Sequence, residues 1–360
     1  MTTAAAPKPS SPASLRVARL LALLVVSIYL FLIGLELIRS GARPLTRWFK
    51  TEGTSQTIAG SLGAGWILAC VALSGSPIAA LSLGLLDEGS LQVPEAFGMI
   101  TGSRLGASFV VLVTGFLYDL RSKGRRDGTY VGALALLTTA MVYVPAFFLG
   151  YWLLDNGWLD GIHFGAPAQL TSILEVLVKP PARAAAALLS PVLQALTGVV
   201  LLLSAFKLFD GFLPVVDPSG GKLSNLATTV YRPWITFLLG MLVTCVTLSV
   251  SVSLTLLVPL TARGLVRREN LIPYIMGANI TTFVDTLAAS LLLKNPGGFT
   301  VVLAAVLSVS AISLPIVLFT YRGFEKMVDA LAQAATANSW RVAMFVLVLF
   351  SIPLLLIWFQ

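Results

Sequence analysis

Two ionisable side chains stand inside otherwise apolar runs: Arg104 within Met99–Leu117 and Asp285 within Leu271–Leu293. A lone charge at the centre of a bilayer costs about 2.5–3.5 kcal/mol even on the lenient insertion scale. Each therefore needs an opposite charge, a ligand or a wet cavity. Two readings stay open. In one, Arg104 and Asp285 neutralise each other as a structural ion pair. In the other, Arg104 holds an oxyanion in its planar fork while Asp285 takes a proton or sodium.

Hydroxyls supply the second set of candidates. Ser74 and Ser76 interrupt one apolar stretch; Ser249, Ser251 and Ser253 interrupt another. A serine hydroxyl both donates to an anion and accepts from a cation's shell, and a helix starting at such an interruption aims its positive end at negative charge. The plainer reading is that small residues let helices pack closely. Asn279, Thr281 and Thr282 offer oxygens suited to a hard cation such as sodium, unless the threonines bond back to their own helix. Cys70, Cys245 and the single His163 make neither a disulfide framework nor a metal site. There is no P-loop and no His-Glu-x-x-His pattern. An enzyme is not expected, and no cofactor beyond a coupling ion.

The elements that must position these residues are helices in lipid. Hydrophobic residues make up 57% of the 360 and charged residues 11%, with a mean hydropathy of +0.89. A soluble domain carries about 25% charged residues, so this chain cannot clothe itself in a wetted surface. Stretches long enough to span a bilayer lie near Val17–Ile38, Ala96–Leu117, Thr129–Leu154, Ala184–Phe206, Leu271–Leu293, Phe299–Tyr321 and Val342–Trp358. The fold expected is all-α and polytopic, with about seven full transmembrane helices. Residues 58–86 and 234–260 are broken in the middle by small and β-branched residues and read as re-entrant hairpins. The dense basic turn Arg121, Lys123, Arg125 and Arg126 faces the cytoplasm by the positive-inside rule. That puts the N-terminus inside a plasma (inner) membrane, and the net charge of +8 reports topology rather than nucleic-acid binding.

Internal symmetry is the most specific signal. A shift of 175 positions sets Cys70-Val71-Ala72-Leu73-Ser74-Gly75-Ser76 on Cys245-Val246-Thr247-Leu248-Ser249-Val250-Ser251. It also sets Gly65 on Gly240, Gly89 on Gly264 and Gly102 on Gly277. An odd number of spans between the copies inverts the second, a recurring plan of secondary transporters. The organisation expected is a disordered tail over 1–14, a first repeat over 15–154, a second inverted repeat over 184–321, and an amphipathic linker with a final helix over 322–360.

At these residues the chain resembles the sodium–phosphate cotransporter family. That family carries two inverted copies of a Gln-Ser-Ser-Ser hairpin tip, each followed by a span opening with Gly-Ala-Asn-Ile-Gly-Thr. The second copy here reads Gly277-Ala278-Asn279-Ile280-Thr281-Thr282, and the first Gly102-Ser103-Arg104-Leu105-Gly106-Ala107. Leu73 and Leu248 stand at the glutamine positions, Gly75 and Val250 at the middle serine, Arg104 at an asparagine and Thr281 at a glycine. The resemblance implies sodium-coupled symport of phosphate or a related small anion, bound at the midplane between the tips. Ser74, Ser76, Ser249, Ser251, Ser253, Arg104 and Asn279 would face the substrate, and Asp285, Thr281 and Thr282 the ion. Partners expected are the anion, sodium, the lipid bilayer and at most further copies of the chain as a homo-oligomer. The competing expectations are a non-transporting membrane scaffold or assembly protein on the same fold, and a proton-coupled carrier of another small solute.

Overall fold

The computed structural model describes residues 57–121, 127–159, 161–162, 174–212, 233–262, 266–293, 295 and 297–358, and most of 22–40. The expected tail over 1–14, the basic turn at Lys123, Arg125 and Arg126, and His163 lie outside the described residues. Every regular element among those described is helical.

The first interrupted stretch forms α1 (Ile58–Ala72) and α2 (Ser76–Asp87). Thr57 opens α1 by accepting from Gly60 N at 3.1 Å. Leu73 ends it in the left-handed region, φ 51°, with its N–H returned to Ala69 O, and Pro77 enters the first turn of α2, where its missing N–H costs nothing. The second interrupted stretch repeats the device. α8 (Pro233–Thr247) stops at Leu248, φ 48°, and Ser249 caps α9 (Val250–Thr255) by accepting from Val252 N at 3.3 Å. A short α10 (Leu257–Ala262) follows. At about 1.5 Å per residue, the 15 residues of α1 fall well short of the ~30 Å hydrocarbon layer.

Each interrupted pair is followed by a helix laid along its first arm. α3 (Val93–Ala107) packs on α1, and α11 (Leu271–Thr281) on α8. Glycines let the backbones meet. A Cβ on Gly65 would strike Met99 O and one on Gly102 would strike Leu62 O; in the second pair, Gly240 faces Tyr274 O and Gly277 faces Phe237 O. Every one of these partners is offset by the same 175 positions.

α3 and α11 also end at equivalent places. α3 turns at Ser108 into α4 (Phe109–Arg121); α11 turns at Thr282 and Phe283 into α12 (Val284–Ser290). The expected span Leu271–Leu293 is therefore two short helices rather than one. The expected span Ala184–Phe206 is divided as well, into α6 (Lys179–Leu188) and α7 (Pro191–Phe212). Pro191 disfavours helix at Ser190, and Gln194 Nε2 donates to the carbonyls of Ala186 (2.8 Å) and Leu189 (2.9 Å) at the break.

The 29-residue α5 (Asp127–Asp155) is the hub, packed against α3, α4, α11, α13 (Gly297–Pro315) and α14 (Tyr321–Thr336). Asp119 ties α4 to its start, accepting from Gly128 N (2.9 Å), Thr129 N (2.7 Å) and Thr129 Oγ1 (2.7 Å). α13 runs on through Ile316–Thr320 into the amphipathic α14 as one 40-residue helix, so no break marks the expected boundary at 321. Tyr130 donates to Asp329 on α14, and Arg268 pairs with Asp127 at 2.6 Å. At the other end of the molecule Asn295 N donates to Asp87 Oδ1 at 2.8 Å.

Four helical stretches among the described residues are long and apolar enough to cross a membrane: Val93–Leu120, which runs from α3 past the Ser108 turn into α4, Asp127–Asp155, Gly297–Thr336 and α15 (Ser339–Trp358). On α15, Leu347, Val348, Ile352, Leu354, Leu355 and Trp358 are exposed. Apolar patches of that extent do not face water in a monomeric soluble protein.

Candidate functional site

Arg104 sits in the last turn of α3 and its side chain is 1% exposed. The guanidinium reaches across to the turn between α11 and α12. Nη1 donates to Thr282 Oγ1 at 3.2 Å and to Ser76 Oγ, in the first turn of α2, at 3.4 Å. Nη2 donates to Thr286 Oγ1 and lies 3.5 Å from Asp285 Oδ1. The Phe283 ring covers one face, 4.9 Å from Cζ to the ring centroid. One cation thereby joins the start of α2 to the α11–α12 turn.

The ion pair is not a bidentate fork. Only Nη2 addresses the carboxylate, and Arg104 Nε and Asp285 Oδ2 are both buried without a hydrogen-bond partner. Asp285 Oδ1 is held instead by its neighbour, accepting from Thr286 N at 2.6 Å and Thr286 Oγ1 at 2.9 Å. Buried polar groups are nearly always satisfied, so each exception needs an explanation. Here two unsatisfied groups of opposite charge belong to the same pair. The Nε–Nη2 edge, the one that recognises carboxylate and phosphate side-on, is engaged at one end only.

A second network lies against the first. Asn279, the position 175 residues on from Arg104, donates from Nδ2 to Thr139 Oγ1 at 3.1 Å, and Ser108 donates to the same oxygen at 3.0 Å. The α11 break frees the Asn279 carbonyl, because Phe283 N turns back to Ile280 O. Tyr143 on α5 takes up that carbonyl, donating at 2.8 Å. The symmetry-related positions thus carry a cation on one side and an amide on the other.

The remaining residues named from sequence divide. Ser251 donates to Leu73 O at 3.3 Å, so the two interrupted segments touch at their tips. Ser249 is spent on its cap. Ser74 lies in the α1–α2 break, its N–H returned to Ala69 O at 3.2 Å. Ser253 does not join the Arg104 cluster: it accepts from Thr244 Oγ1 at 2.7 Å and shares a hydrogen bond of 2.9 Å with the Tyr274 hydroxyl. Thr281, the last residue of α11, bonds back to Gly277 O at 3.3 Å, as helical threonines do. Thr282 accepts from the guanidinium, and Asp285 meets Arg104 as its charge requires. Sequence reasoning missed Thr286, Tyr143 and Thr139; only Thr286, beside Asp285, carried any signal. Comparison with family models, with curated proteins and with solved structures finds no match to the chain.

Proposed function

We propose that the chain is a secondary active transporter for a small oxyanion, inorganic phosphate first, with Arg104 as the anion ligand. The observation that carries the reading is the half-engaged guanidinium edge: a buried Nε without an acceptor, in a nest of hydroxyls from Ser76, Thr282 and Thr286. Two inverted repeats, each with a re-entrant hairpin, form the scaffold. Supporting that are the paired glycine contacts, the left-handed leucines at equivalent breaks and the tip contact of Ser251 with Leu73. Broken backbone at membrane depth is tolerated where it lines a site. The coupling ion in this reading is a cation, sodium by resemblance to the sodium–phosphate cotransporters, and the membrane is the plasma (inner) membrane with the N-terminus cytoplasmic.

The test is uptake of radiolabelled phosphate by proteoliposomes holding the purified chain, with and without an inward sodium gradient. Gradient-driven accumulation is expected. Arg104→Lys keeps the charge and loses the fork, and should weaken apparent affinity about tenfold with the fold intact. A non-transporting scaffold is the rival reading, favoured by the closure of Arg104 on Asp285. Uptake no greater than in protein-free vesicles, for phosphate and sulfate alike, decides for the scaffold. Accumulation driven by a proton gradient alone makes the chain a proton-coupled carrier.

A further inference from the structure

Asp285 occupies the place an anion needs. Its Oδ1 lies 3.5 Å from Nη2, the outer corner of the guanidinium edge that would grip two oxygens of an oxyanion. Its grip is partial, because Oδ2 and Nε go unmatched. A carboxylate serving only to neutralise a buried arginine would gain most from the parallel two-bond geometry. Thr286 holds this one out of that geometry. Its N–H and hydroxyl both bind Oδ1, while its oxygen accepts from Nη2, so the threonine stands between the two charges. Among the described residues no other charged side chain touches the pair: Ser76 comes from α2, Thr282 and Phe283 from the α11–α12 turn. Asp285 has no counterpart in the first unit, where Val110 stands 175 positions earlier.

We propose that Asp285 is a tethered competitor of the transported anion: it binds the Nη2 corner of Arg104 when the carrier is empty and yields that edge to an incoming oxyanion. This rests on the reading of Arg104 as the anion ligand. The empty site is electrically neutral, which lets the unloaded carrier reorient without dragging a bare buried charge through the layer. The loaded site holds the anion and a released carboxylate against one guanidinium, so a cation must enter with the anion. The carboxylate sets affinity as well, since an anion that must displace it binds more weakly by the fraction of time the edge is free.

The experiment is isothermal titration of inorganic phosphate into the purified chain in detergent, beside exchange and net uptake in proteoliposomes. Asp285→Asn removes the competing charge and should tighten phosphate binding at least about tenfold. Phosphate–phosphate exchange should persist in that variant while net uptake collapses. Thr286→Val keeps both charges and removes the hydroxyl that holds Asp285 out of the two-bond geometry; it should let the carboxylate close on the edge and weaken phosphate binding about two- to fivefold, and decides the matter where Asp285→Asn does not accumulate as folded protein. Wild-type binding with unchanged or weaker affinity in folded Asp285→Asn, or with unchanged or tighter affinity in folded Thr286→Val, overturns the competitor role and leaves the anion site standing. Absence of phosphate binding in folded wild type and variants overturns the anion site and the competitor with it.

Discussion

Removing Arg104 and Asp285 singly and together measures how far the pair holds the molecule together. At 3.5 Å and an effective dielectric of about 20, the mutual attraction is about 5 kcal/mol. Desolvation of both groups offsets most of it, so the pair as a whole adds little stability. Breaking it is another matter. Asp285→Leu strands a buried guanidinium that still has three hydroxyls and the Phe283 ring. Arg104→Leu strands a carboxylate that still has the Thr286 N–H and hydroxyl. Each single variant should lose about 3–5 kcal/mol, with these residual partners pulling it to the low end. The double variant should return to within about 1 kcal/mol of wild type, a coupling of several kcal/mol where distant sites show only tenths. Unfolding titrations in mixed micelles, followed by tryptophan fluorescence, give the four stabilities. Additive losses in the double variant would refute the claim that the charges depend on one another. Phosphate uptake measured beside stability should stay absent in the double variant, and its recovery would remove Arg104 from the substrate site.

Three further predictions come from the packing. Gly102→Ala and Gly277→Ala drive a Cβ onto the Leu62 and Phe237 carbonyls and should each cost about 1–3 kcal/mol by overpacking, whereas Gly323→Ala, with open space around it, should gain about 0.5–1 kcal/mol of helix propensity; the same titrations compare them. Leu73→Gly and Leu248→Gly relieve left-handed backbone worth about 1–2 kcal/mol, so both should unfold no more easily than wild type while Leu73→Val unfolds more easily. Ser253→Ala breaks the Thr244 and Tyr274 bonds at about 1–3 kcal/mol and should leave phosphate affinity unchanged, whereas Ser76→Leu, beside the guanidinium, should abolish phosphate binding at a comparable overpacking cost of about 1–3 kcal/mol.

Part of this architecture was legible because glycine, unlike leucine, carries positional meaning in an apolar sequence. Gly65, Gly102, Gly240 and Gly277 fall in register in the sequence and meet the same partners in space. Arg104 and Asp285 announced each other through the cost of burying either alone. The breaks at Ser108 and at Thr282–Phe283 were not legible: they carry neither proline nor glycine, and the freed Asn279 carbonyl is satisfied from α5 by Tyr143, far away in sequence. Pro191 marks the division of the expected 184–206 span, although the stretch is long and apolar enough to read as one span. Hydroxyls misled for a simpler reason. Ser253, Thr281 and Thr282 look alike in sequence, yet one faces a tyrosine, one its own helix and one the guanidinium.

The glycine contacts have a mechanical meaning. Where carbonyl oxygens sit where a Cβ would be, two backbones cannot slide past one another without first separating, so α1 with α3, and α8 with α11, behave as stiff levers. Any relative movement would fall to the joints, the short turns where a few element-terminal residues absorb such a change. Those are Ser108 and Thr282–Phe283. Arg104 stands one turn before the first and lays its guanidinium on the second. A ligand taken up by the guanidinium would therefore bear on that joint itself, and a small displacement there would be multiplied along the length of each arm.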